Sequence, residues 1–426
     1  MIEIEKEVSP PRRALLVGVE TGREGRWEIE DSLNELAQLA QTAGLETVGR
    51  EIFKRLRPHP ATYIGTGSAK GLADRCREAG VTEIIFSDDL SPAQLRNLED
   101  ASGVEVRDRT ELILVIFARR ARTREAKLQV ELARLEYLLP RLGGAWRHLS
   151  RQKGGMMGTR DAGEKQIELD RRLARDRIHS LKKEMERVRR QRSAQRKLRR
   201  QTGIPVISII GYTNSGKSTL LNALTAAEVR AEDRLFATLD PVTRQVELPS
   251  GRKVLFSDTV GFIRNLPHHL IDAFRSTLEE AAEADLLLEV LDISHPRVRE
   301  RKTVVEEVLR ELGADRTEMI VALNKIDREP DPYRVREAAG RIEESIPISA
   351  RSGENLDLLL AEIDRKLSSG RRNFRLLIPQ SRPDLVAALH RDGRVGKIDY
   401  HLKDVYLEVL IEPRALGDSR SYILEK

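Results

Sequence analysis

Gly211-Tyr212-Thr213-Asn214-Ser215-Gly216-Lys217-Ser218-Thr219 follows the apolar run Val206 to Ile210 and precedes Leu220-Leu221. A strand, a glycine-rich turn and a helix start, in that order, make a phosphate-binding loop. Glycines at both ends of the turn permit its path and let backbone N–H groups approach phosphate oxygens. Lys217 then reaches the β and γ oxygens, and the Ser218 hydroxyl meets Mg2+. The whole run from Gly211 to Thr219 is the expected phosphate cradle.

Asn324-Lys325-Ile326-Asp327 follows a second apolar run, Met319 to Leu323. The Asp327 carboxylate can accept from guanine N1–H and the 2-amino group. Adenine offers neither in that pattern, so a mismatch leaves buried groups unpaired. Asn324 braces the loop and the Lys325 stem covers the ring. Ser349-Ala350-Arg351 completes the base pocket, with the Ala350 N–H expected to face O6. GTP and GDP are therefore the expected nucleotides, and an ATPase is the displaced alternative, because only the phosphate loop is neutral between them.

Two further stretches read as switches. Arg234 to Pro241 lies between the first helix and the next strand, and Thr238 is expected to meet Mg2+ and the γ-phosphate. Phe256-Ser257-Asp258-Thr259-Val260-Gly261 ends an apolar strand. There Asp258 reads as the acid near Mg2+, and Gly261 as a backbone donor to the γ-phosphate. The expected metal set is Ser218, Thr238 and Asp258; the expected catalytic set is Lys217, Thr238 and Gly261. Phe262 stands where a glutamine could orient water. Slow intrinsic turnover follows, unless a backbone carbonyl, a cation, a remote residue or a partner supplies that help.

The chain has 426 residues, with 40% apolar, 33% charged and only 4% aromatic content. That length exceeds one ordinary core. The net charge of +6 is compatible with a nucleic-acid partner. Cys76 is the only cysteine, which excludes an intramolecular disulfide and a cysteine-built metal site. Met1 to Arg13 lacks the apolar stretch of a secretory signal. The apolar run Leu112 to Phe117 is far too short for a membrane span. A soluble, cytoplasmic protein is expected.

The fold class expected is α/β and multidomain. Residues 1–120 alternate strands and helices, as in a small parallel sheet, with Asp31 expected to cap the first helix. Within it, Tyr63-Ile64-Gly65-Thr66-Gly67 is either a tight turn or a phosphate contact. Residues 121–200 carry two long helices. The stripe Leu128, Leu132, Leu135 and Leu139 is expected to face the heptad seam Ala174, Ile178, Leu181, Met185 and Val188 in an antiparallel hairpin, with a coiled coil between chains as the alternative. Residues 201–370 form the P-loop GTPase domain, and 371–426 a small α+β domain. Between the long helices, Pro140 to Gln166 is rich in Gly and cations, with Trp146, Arg147, His148, Arg151, Lys153 and Arg160. Cations for phosphate and Trp146 for an unstacked base point to RNA; a solvated loop is the plain alternative. The second helix ends in a dense basic cluster, from Lys182 to Arg200.

These residues resemble the HflX family of ribosome-associated, translation-factor-class GTPases. The pieces that carry the resemblance are Gly211 to Leu220, Leu235-Phe236-Ala237-Thr238-Leu239-Asp240-Pro241, Asp258-Thr259-Val260-Gly261-Phe262-Ile263, and Gly155 to Glu164. Tyr63 to Gly67 falls where the family has an N-terminal glycine motif. The tip departs from the family pattern at Met156-Met157 and at Asp161-Ala162-Gly163-Glu164-Lys165. A monomer is expected, and the resemblance implies that it binds the large ribosomal subunit and its rRNA through the N-terminal domain and hairpin, and splits or rescues stalled 70S ribosomes, notably under heat stress. It also implies ATP binding through Gly65, Gly67 and Lys70, and K+ at Asn214. Two rival readings are a ribosome-assembly GTPase and a non-enzymatic RNA-binding switch.

Overall fold

The computed structural model of the chain describes residues 12–22, 25–142, 160–201, 204–225, 235–236, 238–239, 242–264, 270, 281–315, 317–329, 331–369, 372–411 and 413–424. Residues Met1–Arg190, Arg230–Pro241 and Val260–Leu278 form one compact unit; Gln191–Val229, Val242–Thr259 and Glu279–Lys426 form a second. Among the described residues, no helix is long and apolar enough to cross a membrane.

The first unit opens with β1 (Arg13–Glu20), α1 (Arg26–Thr42), β2 (Glu46–Lys54), α2 (Thr66–Glu78), β3 (Glu83–Phe86), α3 (Pro92–Ser102) and β4 (Glu105–Asp108). The four strands are parallel in the order β2-β1-β3-β4. Helices cover parallel strands on both faces, which explains the unbroken apolar run in β1. Leu15, Val17, Ile84, Phe86 and Val106 pack with Leu72 and Cys76 of α2. Burial raises the Cys76 thiol pKa and keeps it protonated. The expected cap at Asp31 is not observed. α1 begins at Arg26, where the Glu28 carboxylate accepts from the Gly25 N–H (3.0 Å), leaving Asp31 inside the helix. A carboxylate three residues past the cap can reach back to it, and that contact fixes the earlier start.

The apolar run Leu112 to Phe117 lies in α4 (Arg109–Arg120), a buried helix that Asp108 caps by accepting from the Glu111 N–H (2.9 Å). α5 (Arg124–Leu138) and α6 (Arg160–Gln201) follow. Leu128 and Leu132 meet Leu181 and Met185, with Leu135, Ile178 and Val188 packed against them, as the heptad pattern requires. Arg124 pairs with Glu184 (3.3 Å) and Glu131 with Arg177 (2.8 Å). α6 starts before Glu168; only Gly163 opposes helix in that added stretch, at about 1 kcal/mol. The end of α5 is pinned to the α/β layer. Tyr137 Oη donates to Asp108 (2.9 Å), and Arg141 donates to the Leu90 carbonyl and to Asp108 while stacking 3.6 Å over the Tyr137 ring. The expected RNA-contact loop with Trp146, Arg147, His148, Arg151 and Lys153 lies outside the described residues. So do the side chains of Arg160, Arg189, Arg192, Arg196, Lys197, Arg199 and Arg200.

The second unit holds β5 (Val206–Ile210), α7 (Lys217–Thr225), β6 (Val242–Glu247), β7 (Lys253–Asp258), β8 (Leu286–Asp292), α8 (Val298–Glu311), β9 (Met319–Asn324), α9 (Pro332–Arg341), β10 (Ser345–Pro347) and α10 (Leu356–Ser369). The six-stranded sheet runs β10-β9-β8-β5-β7-β6. It is parallel except for β6, an antiparallel edge strand that the polar sequence Val-Thr-Arg-Gln-Val-Glu does not announce. Ile207, Ile209, Phe256, Leu288, Val290 and Ile320 fill its core. β11 (Arg372–Pro379), α11 (Pro383–Asp392), β12 (Arg394–Tyr400) and β13 (Asp404–Ile411) then build a three-stranded antiparallel sheet in the order β11-β13-β12. Leu376, Ile378, Leu389, Leu407 and Val409 form its core.

Glu289, in β8, is fully buried opposite Lys302 of α8 at 3.7 Å. Burial raises its pKa to about 7, with Lys302 opposing the rise and Glu306 adding to it. The folded chain thus keeps a proton that the unfolded chain releases near its ordinary value. The associated stability is complete below the unfolded pKa and is lost as pH rises through about 7. Glu289→Gln should therefore stabilise the protein at pH 8, on the order of 1–3 kcal/mol, with little effect at pH 5. Urea unfolding at both pH values checks this; an equal effect at the two would contradict it.

Candidate nucleotide-binding site

The phosphate loop leaves the end of β5 and enters α7. Gly211 has φ +142, and a Cβ there would fall 2.4 Å from the Val290 carbonyl oxygen. Gly216 has φ +101, and its Cβ would fall 2.2 Å from Asn324 Nδ2. Sterics therefore require both glycines. Lys217 is buried, and its ammonium donates to the carbonyls of Gly211 (3.1 Å) and Tyr212 (2.9 Å), the loop it encloses. Ser218 Oγ donates to Asp258 Oδ2 at 2.7 Å. The β5–β7 register pairs Ile209 with Asp258, which brings that carboxylate to the loop. Thr219 follows in the first turn of α7. Among the described residues, the buried hydroxyls of Thr213 and Ser215 have no hydrogen-bond partner. Orphaned hydroxyls, a glycine-walled turn, a buried lysine and an adjoining serine–aspartate pair fit a magnesium-bound nucleotide phosphate. Arg301 of α8 lies over the Tyr212 ring at 4.5 Å.

The loops expected to read the base converge on the same turn. Asn324 ends β9; its Nδ2 donates to the Ser215 carbonyl (2.8 Å) and its Oδ1 accepts from the Ala350 N–H (2.9 Å). The Ala350 N–H, expected to face the guanine O6, is thus given to Asn324, because a buried carboxamide oxygen needs its own donor. Lys325 has φ +68, and its Nζ donates to the Asn214 carbonyl (2.8 Å) and to Asp292 (2.7 Å). Asp327 lies in a short 3-10 turn, exposed, and accepts from Ser349 Oγ at 2.6 Å. Arg351 is exposed. Sequence reading missed Asp292 and Arg301. Asp292 is readable only once β8 and β9 are known to pair, since their register places it beside Asn324.

Thr238 and Gly261 belong to the first unit; Thr238 is half-buried and Gly261 buried. Around them the apolar residues face inward. Leu235, Phe236 and Leu239 are buried, and Phe236 meets Phe117 of α4 edge-to-face at 4.7 Å. Phe262 and Ile263 are buried too, so the phenyl ring after Gly261 serves packing. Arg109 donates to the Arg264 carbonyl (3.1 Å) while it pairs with Glu35 (2.6 Å). Gly65, with φ +95, precedes α2, and its Cβ would overlap the Arg55 guanidinium, which itself donates to the Ile64 carbonyl (2.8 Å). Gly67 and Lys70 are exposed in the first turns of α2.

A parallel sheet carrying this loop and an Asn-Lys-x-Asp turn at its strand ends defines a P-loop GTPase. The chain matches family models described as GTP-binding GTPase N-terminal over residues 30–118, GTP-binding GTPase Middle Region over 120–199, and 50S ribosome-binding GTPase over 206–325. It is 45% identical over 411 residues to the GTPase HflX of Lacrimispora saccharolytica, covering 96% of this chain and 95% of that protein. It is 43% identical over 389 residues to the GTPase HflX of Escherichia coli K12, covering 90% and 88%. A solved GTP-binding protein from Sulfolobus solfataricus in complex with GDP aligns over 83% of this chain and 98% of that one, at 29% identity and a TM-score of 0.45. The chain belongs to the HflX family of GTPases.

Burial lowers the Lys217 pKa to about 8, Asp258 pulling it up and Lys325 pushing it down. A bound phosphate raises it again, so binding favours the protonated amine. GDP affinity should be complete below about pH 8 and decline as pH rises through that value. Calorimetry at pH 8.5 in buffers of different ionisation enthalpy should register proton uptake. Affinity that stays constant from pH 7 to 9.5 would contradict this.

Proposed function

We propose that this GTPase binds the large ribosomal subunit and separates 70S ribosomes into subunits, with GTP hydrolysis resetting it. The observation that carries the reading is the company kept by the two switch stretches. Residues Arg230–Pro241 and Val260–Leu278 cluster with the N-terminal sheet and helices, through Phe236 on Phe117 and Arg264 on Arg109. In this reading the γ-phosphate recruits Thr238 and the Gly261 N–H, and their movement repacks contacts of the ribosome-facing unit. Ser218, Asp258 and Thr238 hold Mg2+; Lys217 and the loop from Gly211 to Thr219 hold the phosphates; Asn324, Lys325, Asp327, Ser349, Ala350 and Arg351 frame guanine. The Phe262 ring that follows Gly261 cannot orient the attacking water, which favours help from elsewhere, stimulation by the ribosome included. Stress rescue, K+ at Asn214 and ATP at Gly65, Gly67 and Lys70 follow from the resemblance; rRNA contact by the Trp146 loop follows also from its cations and stacking ring, and a cytoplasmic monomer completes the reading.

Sedimentation of purified 70S ribosomes with the protein and a non-hydrolysable GTP analogue tests this. Conversion to subunits is the expected outcome; binding only to precursor particles would favour an assembly factor. Phe117→Leu should alter large-subunit-stimulated GTPase activity about five-fold, in keeping with the worth of an aromatic pair. GDP affinity should stay within about two-fold of the parent, because the Phe117 ring is not part of the phosphate or base loops. Unchanged stimulation would remove Phe117 from the coupling.

A further inference from the structure

Asp292 is the last residue of β8, in register with Asn324 of β9, and the next N–H, that of Ile293, donates to the Asn324 carbonyl at 3.0 Å. Its two carboxylate oxygens have separate tasks. Oδ1 accepts from the Ser294 N–H (3.1 Å) and Ser294 Oγ (2.6 Å), which fixes the rotamer. Oδ2 accepts from the Lys325 ammonium at 2.7 Å. The same ammonium donates to the Asn214 carbonyl. Lys325 and Asn214 both adopt the left-handed backbone conformation, with φ +68 and +59. For residues other than glycine this conformation is uncommon and persists where surrounding contacts over-determine it. Those contacts converge on one ammonium between a carbonyl and a carboxylate. The Lys325 and Asp292 side chains are only 14% and 10% exposed, so water screens the pair little.

We propose that Asp292 is a positioning residue for guanine-nucleotide binding: it clamps Lys325 against the Asn214 carbonyl and so ties the base-reading turn to the phosphate loop. The ligand class is a guanine nucleoside di- or triphosphate, and the proposal rests on the nucleotide reading of the site. Without the clamp the Lys325 stem has no fixed place beside the base ring. The turn that carries Asp327 then loosens, and recognition of the guanine 2-amino group weakens more than the grip on phosphate.

The test uses the full-length protein and two ligands, GDP and inosine diphosphate, which lacks the 2-amino group. Asp292→Ala should weaken GDP binding at least about tenfold, mostly through faster dissociation. It should also shrink the preference for GDP over the inosine nucleotide. Asp292→Asn, which keeps an acceptor but loses the charge, should lie between parent and alanine variant. The double variant Asp292→Ala, Lys325→Ala should be no weaker than Lys325→Ala alone, since both remove one link. GDP affinity within about twofold of the parent, an additive double variant, or an undiminished GDP preference would each overturn the proposal. A parent protein that takes up no GDP would instead defeat the guanine reading.

Discussion

The Asn324 carboxamide is the contact on which the nucleotide site depends. From the end of β9 it donates to the Ser215 carbonyl in the phosphate loop and accepts from the Ala350 N–H in the loop after β10. Three loops from distant parts of the sequence thus share one planar group. All of its partners are buried, and an unpaired buried polar group costs about 1–3 kcal/mol. The same group explains Gly216, since any side chain there would occupy the space of Nδ2. Lys325, one residue on, adds the ammonium link to Asn214 and Asp292. The loops expected to hold base and phosphate are therefore mechanically one object, although they lie far apart along the chain.

Asp108 does comparable work in the first unit. It is fully buried at the end of β4 and accepts from the N–H groups of Glu111 and Leu90, from Tyr137 Oη and from Arg141. It joins the start of α4, the turn after β3 and the end of α5. Burial raises its pKa, while its hydrogen-bond donors and Arg141 hold it down. Four donors compensate a buried carboxylate that would otherwise be costly.

What could be read from sequence was what local chemistry sets. Val206 to Ile210 and Met319 to Leu323 announce strands because apolar runs ending in a glycine loop or an Asn-Lys turn have little alternative. The seam of Leu128 and Leu132 against Leu181 and Met185 follows from a heptad repeat. Features requiring knowledge of neighbours were hidden. β6 puts only Val242 and Val246 against the core, too short an apolar signal to announce a strand, and β7 supplies the edge it pairs with. The Ala350 N–H was aimed at guanine because the need of Asn324 Oδ1 was not visible. The cap expected at Asp31 gives way to Gly25, because the Glu28 carboxylate reaches back to the Gly25 N–H. Asp292 looks like an ordinary strand-end acid until β9 is laid beside it.

The two stretches proposed as switches give the molecule a boundary that differs from the one in its sequence. Residues 230–241 and 260–278 interrupt the GTPase segment yet are grouped with the N-terminal residues, where Leu235, Phe236, Phe262 and Leu270 are buried. An isolated GTPase fragment cut at the sequence boundaries would retain those residues but lose α4 and the Phe117 ring that covers Phe236. Its surface would become greasier, and its basal hydrolysis rate would describe a differently packed Phe236 stretch. Limited proteolysis of the intact chain, rather than truncation, is the cleaner way to find which parts melt together.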